Sequence, residues 1–139
     1  MLKYLAITLT LFLTVPALAT AQTNQRTAFN QGMERFNILV REQKLSEALQ
    51  MIRPELEMTD EDIVNIDNRF WEFYPKAFVG HDSIRSEVLK NGFRQEIIAY
   101  WDEDNRYFFV YLLVHANGEG FTVVNIDYGA DFEGLNVFF

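Results

Sequence analysis

The sequence predicts an α+β domain: three N-terminal helices packed on a curled four-stranded antiparallel sheet. Three observations carry this. Phe93 to Tyr128, FRQEIIAYWDEDNRYFFVYLLVHANGEGFTVVNIDY, holds three runs rich in Val, Ile, Phe, Tyr and Trp. Asp102-Glu103-Asp104-Asn105 and Asn117-Gly118-Glu119-Gly120 break these runs, which is the pattern of an antiparallel meander. Upstream of it the apolar residues recur at helical spacing. Helices come first and strands after, a segregation that places helices against one face of a sheet.

The chain has 139 residues, which fits one domain. Its first stretch, MLKYLAITLTLFLTVPALATA, reads as a cleaved secretory signal peptide over residues 1–21. Lys3 supplies the positive start, Leu5 to Val15 the short apolar core, and Ala19-Thr20-Ala21 the small-residue cleavage site. The apolar run falls short of the roughly 20 residues a membrane span needs, so no span is expected after cleavage. With no Cys in the chain, lipid attachment to an N-terminal cysteine is excluded.

Residues 22–139 then form the single exported domain, periplasmic or secreted. Lys3 is the only charge in the leader, so 11 basic and 20 acidic residues remain, a net of −9. A chain this acidic repels phosphate backbones and is not expected to bind nucleic acid. Hydrophobic content of 49% and aromatic content of 15% support a packed core. That core must be stable without disulfides.

A first helix is expected from about Thr27 to Gln43, with Phe29, Met33, Phe36 and Val40 on one face. Ser46 reads as the N-cap of a short second helix that turns Ala48, Leu49 and Ile52 inward and stops by Pro54. The text FNILVREQKLSEALQMI resembles one tetratricopeptide repeat, but no second copy follows. Thr59 caps a third helix: Asp60, Glu61 and Asp62 sit at its positive end, and Met58 is placed to staple against Ile63. Ile63, Ile66, Phe70 and Phe73 form its apolar stripe, and Pro75 ends it.

Lys76 to Asp82 connects to a first strand over Ser83–Lys90. Asn91-Gly92, a strong hairpin signal, joins it to Phe93–Trp101. The third strand is expected at about Arg106–Ala116 and the fourth at about Gly120–Tyr128. The tail, Gly129 to Phe139, is expected to lie back against the body, since Val137-Phe138-Phe139 is too apolar to leave in water.

This order over Thr27 to Tyr128 resembles the nuclear-transport-factor-two-like superfamily, the cystatin-like α+β roll, to which small exported bacterial proteins of unknown function are similar in layout. The resemblance rests on element order and no specific motif carries it. It implies frequent sheet-to-sheet dimers. For its ketosteroid-isomerase-like members it implies a pocket carboxylate base with a tyrosine as oxyanion donor.

The chemistry available is sparse. His81 reads as a solvated turn residue beside Asp82, and His115 as the end of an aromatic row. Their separation matches no zinc spacing. Asp102 and Asp104 fit a calcium loop, but Arg106 takes its third donor position and no Gly follows, so a polar hairpin turn is the better reading. No metal site and no cofactor is expected. Asp127 alternates with Phe121, Val123 and Asn125, which puts it on an apolar face where desolvation suits a general base. What the resemblance to the ketosteroid-isomerase-like members implies is a candidate catalytic pair of Asp127 with Tyr111, or with Tyr107.

In the third strand Phe108, Val110, Leu112 and Val114 form an apolar row suited to the helices. Tyr107, Phe109, Tyr111 and His115 form an amphipathic row on the other face, as pockets and interfaces do. These four, with Asn125, are the candidate ligand-binding residues. The functional expectation is a non-enzymatic binding or interaction domain, homodimeric through a sheet face, with a small apolar or aromatic ligand between helices and sheet. An isomerase- or hydratase-like enzyme using Asp127 is the first alternative. The second is a partner-binding or inhibitory module without a cavity, acting through an edge strand or its Phe-rich tail.

Overall fold

The computed structural model describes residues 17–118 and 120–139, with side chains from residue 26 onward. Residues 1–16, most of the expected leader, lie outside the described residues, and residues 17–21 open the first helix. Among the described residues no helix is long and apolar enough to cross a membrane.

Helices α1 (Ala17–Arg41), α2 (Leu45–Ile52) and α3 (Asp60–Phe73) precede strands β1 (Gly80–Val88), β2 (Phe93–Trp101), β3 (Tyr107–Asn117) and β4 (Gly120–Gly129). A fourth helix, α4 (Phe132–Asn136), follows the sheet. The strands form one antiparallel meander in the order β1-β2-β3-β4. The fold is α+β as expected, with two corrections: among the described residues there are four α-helices rather than three, and the sheet is not strongly curled. Strong curling needs bulges or glycine kinks in the middle of a sheet, and the central pair β2–β3 runs from Phe93 to Trp101 without a register shift.

α1 begins ten residues before the expected start. Gln22 to Arg26 contains no Gly or Pro, and Ala, Gln and Arg are good helix formers. Ser46 is not the cap of α2, whose N-cap is Lys44 with no side-chain bond. Asp67 of α3 does that work instead, accepting from the Ser46 amide at 3.0 Å and its hydroxyl at 2.7 Å. α3 starts as read, with a reciprocal Thr59–Asp62 capping box. Its stripe drifts by one residue at the end: Phe73 is 71% exposed and Tyr74 is buried in its place. Positions i, i+3, i+7 and i+11 keep to one face better than i+10 does. Asn91 and Gly92 both take positive φ (57° and 80°) in the β1–β2 turn, as a tight hairpin requires.

The main core lies between helices and sheet. Phe29, Met33, Phe36 and Val40 of α1 meet Ile98 and Tyr100 of β2 and the Phe108–Val110–Leu112–Val114 row of β3. At Gly32 a β-carbon would stand 2.5 Å from the Phe121 ring, so glycine lets α1 approach β4. The opposite face has a smaller core of Ile97, Tyr111 and Leu135, with Phe109, Leu113, Phe132 and Phe139 packed around it. Its cover is therefore the chain's own tail, laid across the sheet. Asp131 caps α4 by accepting from the Glu133 amide, and the Gln95 side chain donates to the Phe138 carbonyl at 2.7 Å.

Candidate functional site

Of the cavities on the helix side of the sheet, one of about 520 Å³ lies between α1, α2 and β4 and is lined by Gly32, Met51, Ile52 and Phe121. Two others differ most in their chemistry. The first, of about 400 Å³, lies between α1 and β1 and is lined by Arg26, Asn30, Asn37, His81, Ser83 and neighbouring residues. Beneath it Glu96, with no exposed surface, sits in the otherwise apolar run of β2. A bulge between Ser83 and Arg85 turns Ser83 and Ser86 to the same face, opposite Ile98 and Glu96. Both hydroxyls donate to the Glu96 carboxylate, and the Arg26 guanidinium pairs with it. Arg94 Nη1 lies 3.7 Å from it, and both arginines stand over the Phe29 ring. The Tyr100 hydroxyl donates to Asn37, and Asp82 accepts from the Ser83 amide. His81 stacks on Tyr100, and burial holds its imidazole below the usual pKa, with the Arg41 charge adding to the effect. The polar groups gathered on Glu96 are thus largely spent on one another, with Arg94 Nη1 left buried and without a hydrogen bond to any described residue, which makes this part of the cleft a structural network first.

The second cavity is a groove of about 520 Å³ between α3 and the far end of the sheet. α3 supplies Asn65, Ile66, Arg69, Phe70 and Phe73, and Tyr74 follows at its C-cap. Leu45 comes from α2, Phe108 from β3 and Tyr128 from β4, and Gly129 and Ala130 close the end. Its floor is aromatic. Phe70 meets Phe108 edge-on at 4.9 Å between ring centres, Tyr74 meets it at 5.4 Å and Tyr128 at 5.9 Å. Such edge-on and tilted arrangements suit the ring quadrupoles. The Tyr74 hydroxyl donates to the Tyr107 carbonyl at 3.0 Å, which ties the end of α3 to the sheet. Burial raises the pKa of both tyrosines above the usual phenol value, and at Tyr128 the Asp127 charge adds to it. Arg69 is the only formal charge in the lining. No family model, curated protein or solved structure matches this chain.

None of the expected ligand-binding residues lines this groove. Tyr107, Phe109 and Tyr111 lie on the other face. Tyr107 is 47% exposed there, Phe109 packs on Phe132, and Tyr111 is buried beneath Phe138 and Phe139. His115 stacks on Phe93 at 4.4 Å, and its Nε2 donates to the Asn91 carbonyl at 3.1 Å. Asn125 is exposed.

The reading of Asp127 needs correcting. A bulge between Leu113 and Val114 leaves Val124 unpaired, so alternation in β4 breaks there. Phe121 and Val123 turn to the helices, whereas Asn125 and Asp127 turn outward opposite Leu113 and Tyr111. Asp127 is therefore exposed rather than set in an apolar surface, and it accepts from the Tyr128 amide. Tyr111 is its cross-strand neighbour, but the Tyr111 hydroxyl is engaged by Gln95 at 3.0 Å. The same bulge carries Tyr128 to the helix side and into the groove.

The acidic hairpin behaves as a turn. Asp102, 1% exposed, accepts from the Asp104 and Arg106 amides at 2.9 Å each and from the Arg106 guanidinium at 3.0 Å. Among the described residues no group of three or more His, Asp or Glu is placed to hold a metal ion.

Proposed function

We propose that this chain is an exported binding domain that holds a small apolar ligand in the groove between α3 and the sheet. The observation that carries the reading is the floor formed by Phe70, Phe108 and Tyr128 beneath an open space of about 520 Å³. Ligand sites are concave and mostly apolar, with few polar groups, and this groove has that composition. Its floor includes Phe70 and Phe108, both buried in the core, so that part of the site is preformed and loses little in ordering on binding. The leader pattern at residues 1–21 supports export. The element order supports placement in the nuclear-transport-factor-two-like superfamily.

The test is a fluorescence titration with the neutral probe N-phenyl-1-naphthylamine. The reading expects saturable enhancement with micromolar affinity. Ile66→Arg, which puts a charge in the lining, is expected to weaken binding at least tenfold. The loss should occur with the cooperative unfolding transition retained, because Ile66 is only partly buried. Non-saturable enhancement, or equal affinity in the variant, contradicts it.

A second reading, pairing of two copies through the outer sheet face, is favoured by the exposure of Tyr107 on that face and of Val137 and Phe138 in the tail laid across it.

A further inference from the structure

We infer that the ligand of the α3 groove carries a carboxylate, and that Arg69 is the residue that selects it. This rests on the groove being a ligand site and goes on to name the ligand's class.

Seven of the eight arginines have a partner within the fold. Arg26 and Arg94 face Glu96, Arg35 faces Glu47, Arg53 faces Glu55 and Arg106 faces Asp102. Arg41 donates to the Phe78 and Val79 carbonyls, and Arg85 donates to Asn136. Arg69 alone makes neither an ion pair nor a hydrogen bond with any described residue, in a chain whose net charge is −8. Acidic side chains are abundant, yet none is placed against it.

Its position gives the cation a use. Arg69 follows Ile66 by three residues and Asn65 by four, so Asn65 and Arg69 stand one turn apart along the rim of an apolar groove. Across the groove, on β4, stands Tyr128. Its hydroxyl has no hydrogen-bond partner among the described residues, and as a phenol it carries a proton to donate near neutral pH. The lining thus holds a guanidinium, an amide and a phenol O–H, the donors that a carboxylate accepts from, the guanidinium in bidentate fashion. The apolar floor then takes the body of the molecule. A ligand with an amine would meet an unpaired cation and no carboxylate in the lining, so the same geometry selects against it.

The experiment is calorimetric titration of the purified protein with 2-naphthylacetic acid and with its near-isostere 2-naphthylacetamide, repeated with octanoate and octanamide for an aliphatic body. The acid of at least one pair is expected to bind about fivefold more tightly than its amide, the upper end for one exposed charge pair. Arg69→Gln is expected to remove that difference by weakening the acid alone, and Arg69→Lys to restore part of it. Arg69 is exposed, so neither variant threatens folding. Equal affinity of acid and amide in the unaltered protein, or a preference that survives Arg69→Gln, overturns the carboxylate inference and leaves the groove reading standing. Binding of none of the four compounds overturns the groove reading, and this inference with it.

Discussion

At the scale of single residues the most consequential side chains are buried carboxylates, and each is held by donors that its neighbours supply. Glu96 is surrounded by Arg26, Arg94, Ser83 and Ser86. An uncompensated carboxylate in that position would be strongly destabilising. Asp102 performs a different task, folding the β2–β3 turn around its two oxygens. The Arg106 amide, ahead of the Asp104 amide and the Arg106 charge, holds its carboxyl below the ordinary value of 3.8. Its folded pKa is thus lower than its unfolded one. The stability it contributes is fully present above the unfolded pKa and is lost as pH falls through the folded one. Thermal unfolding followed between pH 7 and pH 2 is expected to show a fall in Tm beginning near pH 4. Asp102→Asn is expected to flatten that fall and to lower Tm at pH 7 by roughly 4–10 °C, because the turn's amides and Arg106 lose a charged acceptor. An unchanged acid limb in the variant contradicts this role.

At the scale of elements, the helix starts and turns were the easiest features to read, and the two bulges the hardest. Thr59 with Asp62 and Asn91 with Gly92 are local signals, whose geometry is fixed by residues three or fewer positions apart. A β-bulge depends instead on how one strand lies on the next, and period-two alternation read from one strand cannot reveal it. At Val124 this moved Asp127 out of the core face and Tyr128 into the groove. At Ile84 it gathered Ser83 and Ser86 over Glu96. A weak signal for that network was present: Arg94 and Glu96, two apart in a strand otherwise apolar on that face, are a charge pair. The groove itself was legible only as a space between helices and sheet, since the residues lining it come from α2, α3, β3 and β4. α3 carries most of the site, and its cap lies ahead of the groove residues. Thr59→Ala is accordingly expected to cost about 1 kcal/mol in urea unfolding while leaving probe affinity unchanged. A loss of affinity larger than twofold would mean that the first turn of α3 shapes the groove.

At the scale of the whole molecule, one sheet is covered on both faces by the same chain. Three helices cover the first face and the Asp131–Phe139 tail covers the centre of the second. The apolar row Phe108–Val114 suits the helices on sequence grounds, but the sequence leaves open which row they cover; the structure puts this row against them. The Tyr row reads as a pocket or an interface, because amphipathic aromatics serve a ligand, a partner or a tail equally well. Open volume remains on the helix side, and the α3 groove combines it with a floor of aromatic rings. The proposed occupant of the groove is a small apolar molecule, and chemical-shift mapping with 2-naphthylacetamide locates it. Shifts concentrated on Ile66, Phe70, Phe108 and Tyr128 are expected. Shifts centred on Asn30 and Ser83 in the polar cleft, or on Tyr107 and Phe138 across the outer face, would contradict the proposal.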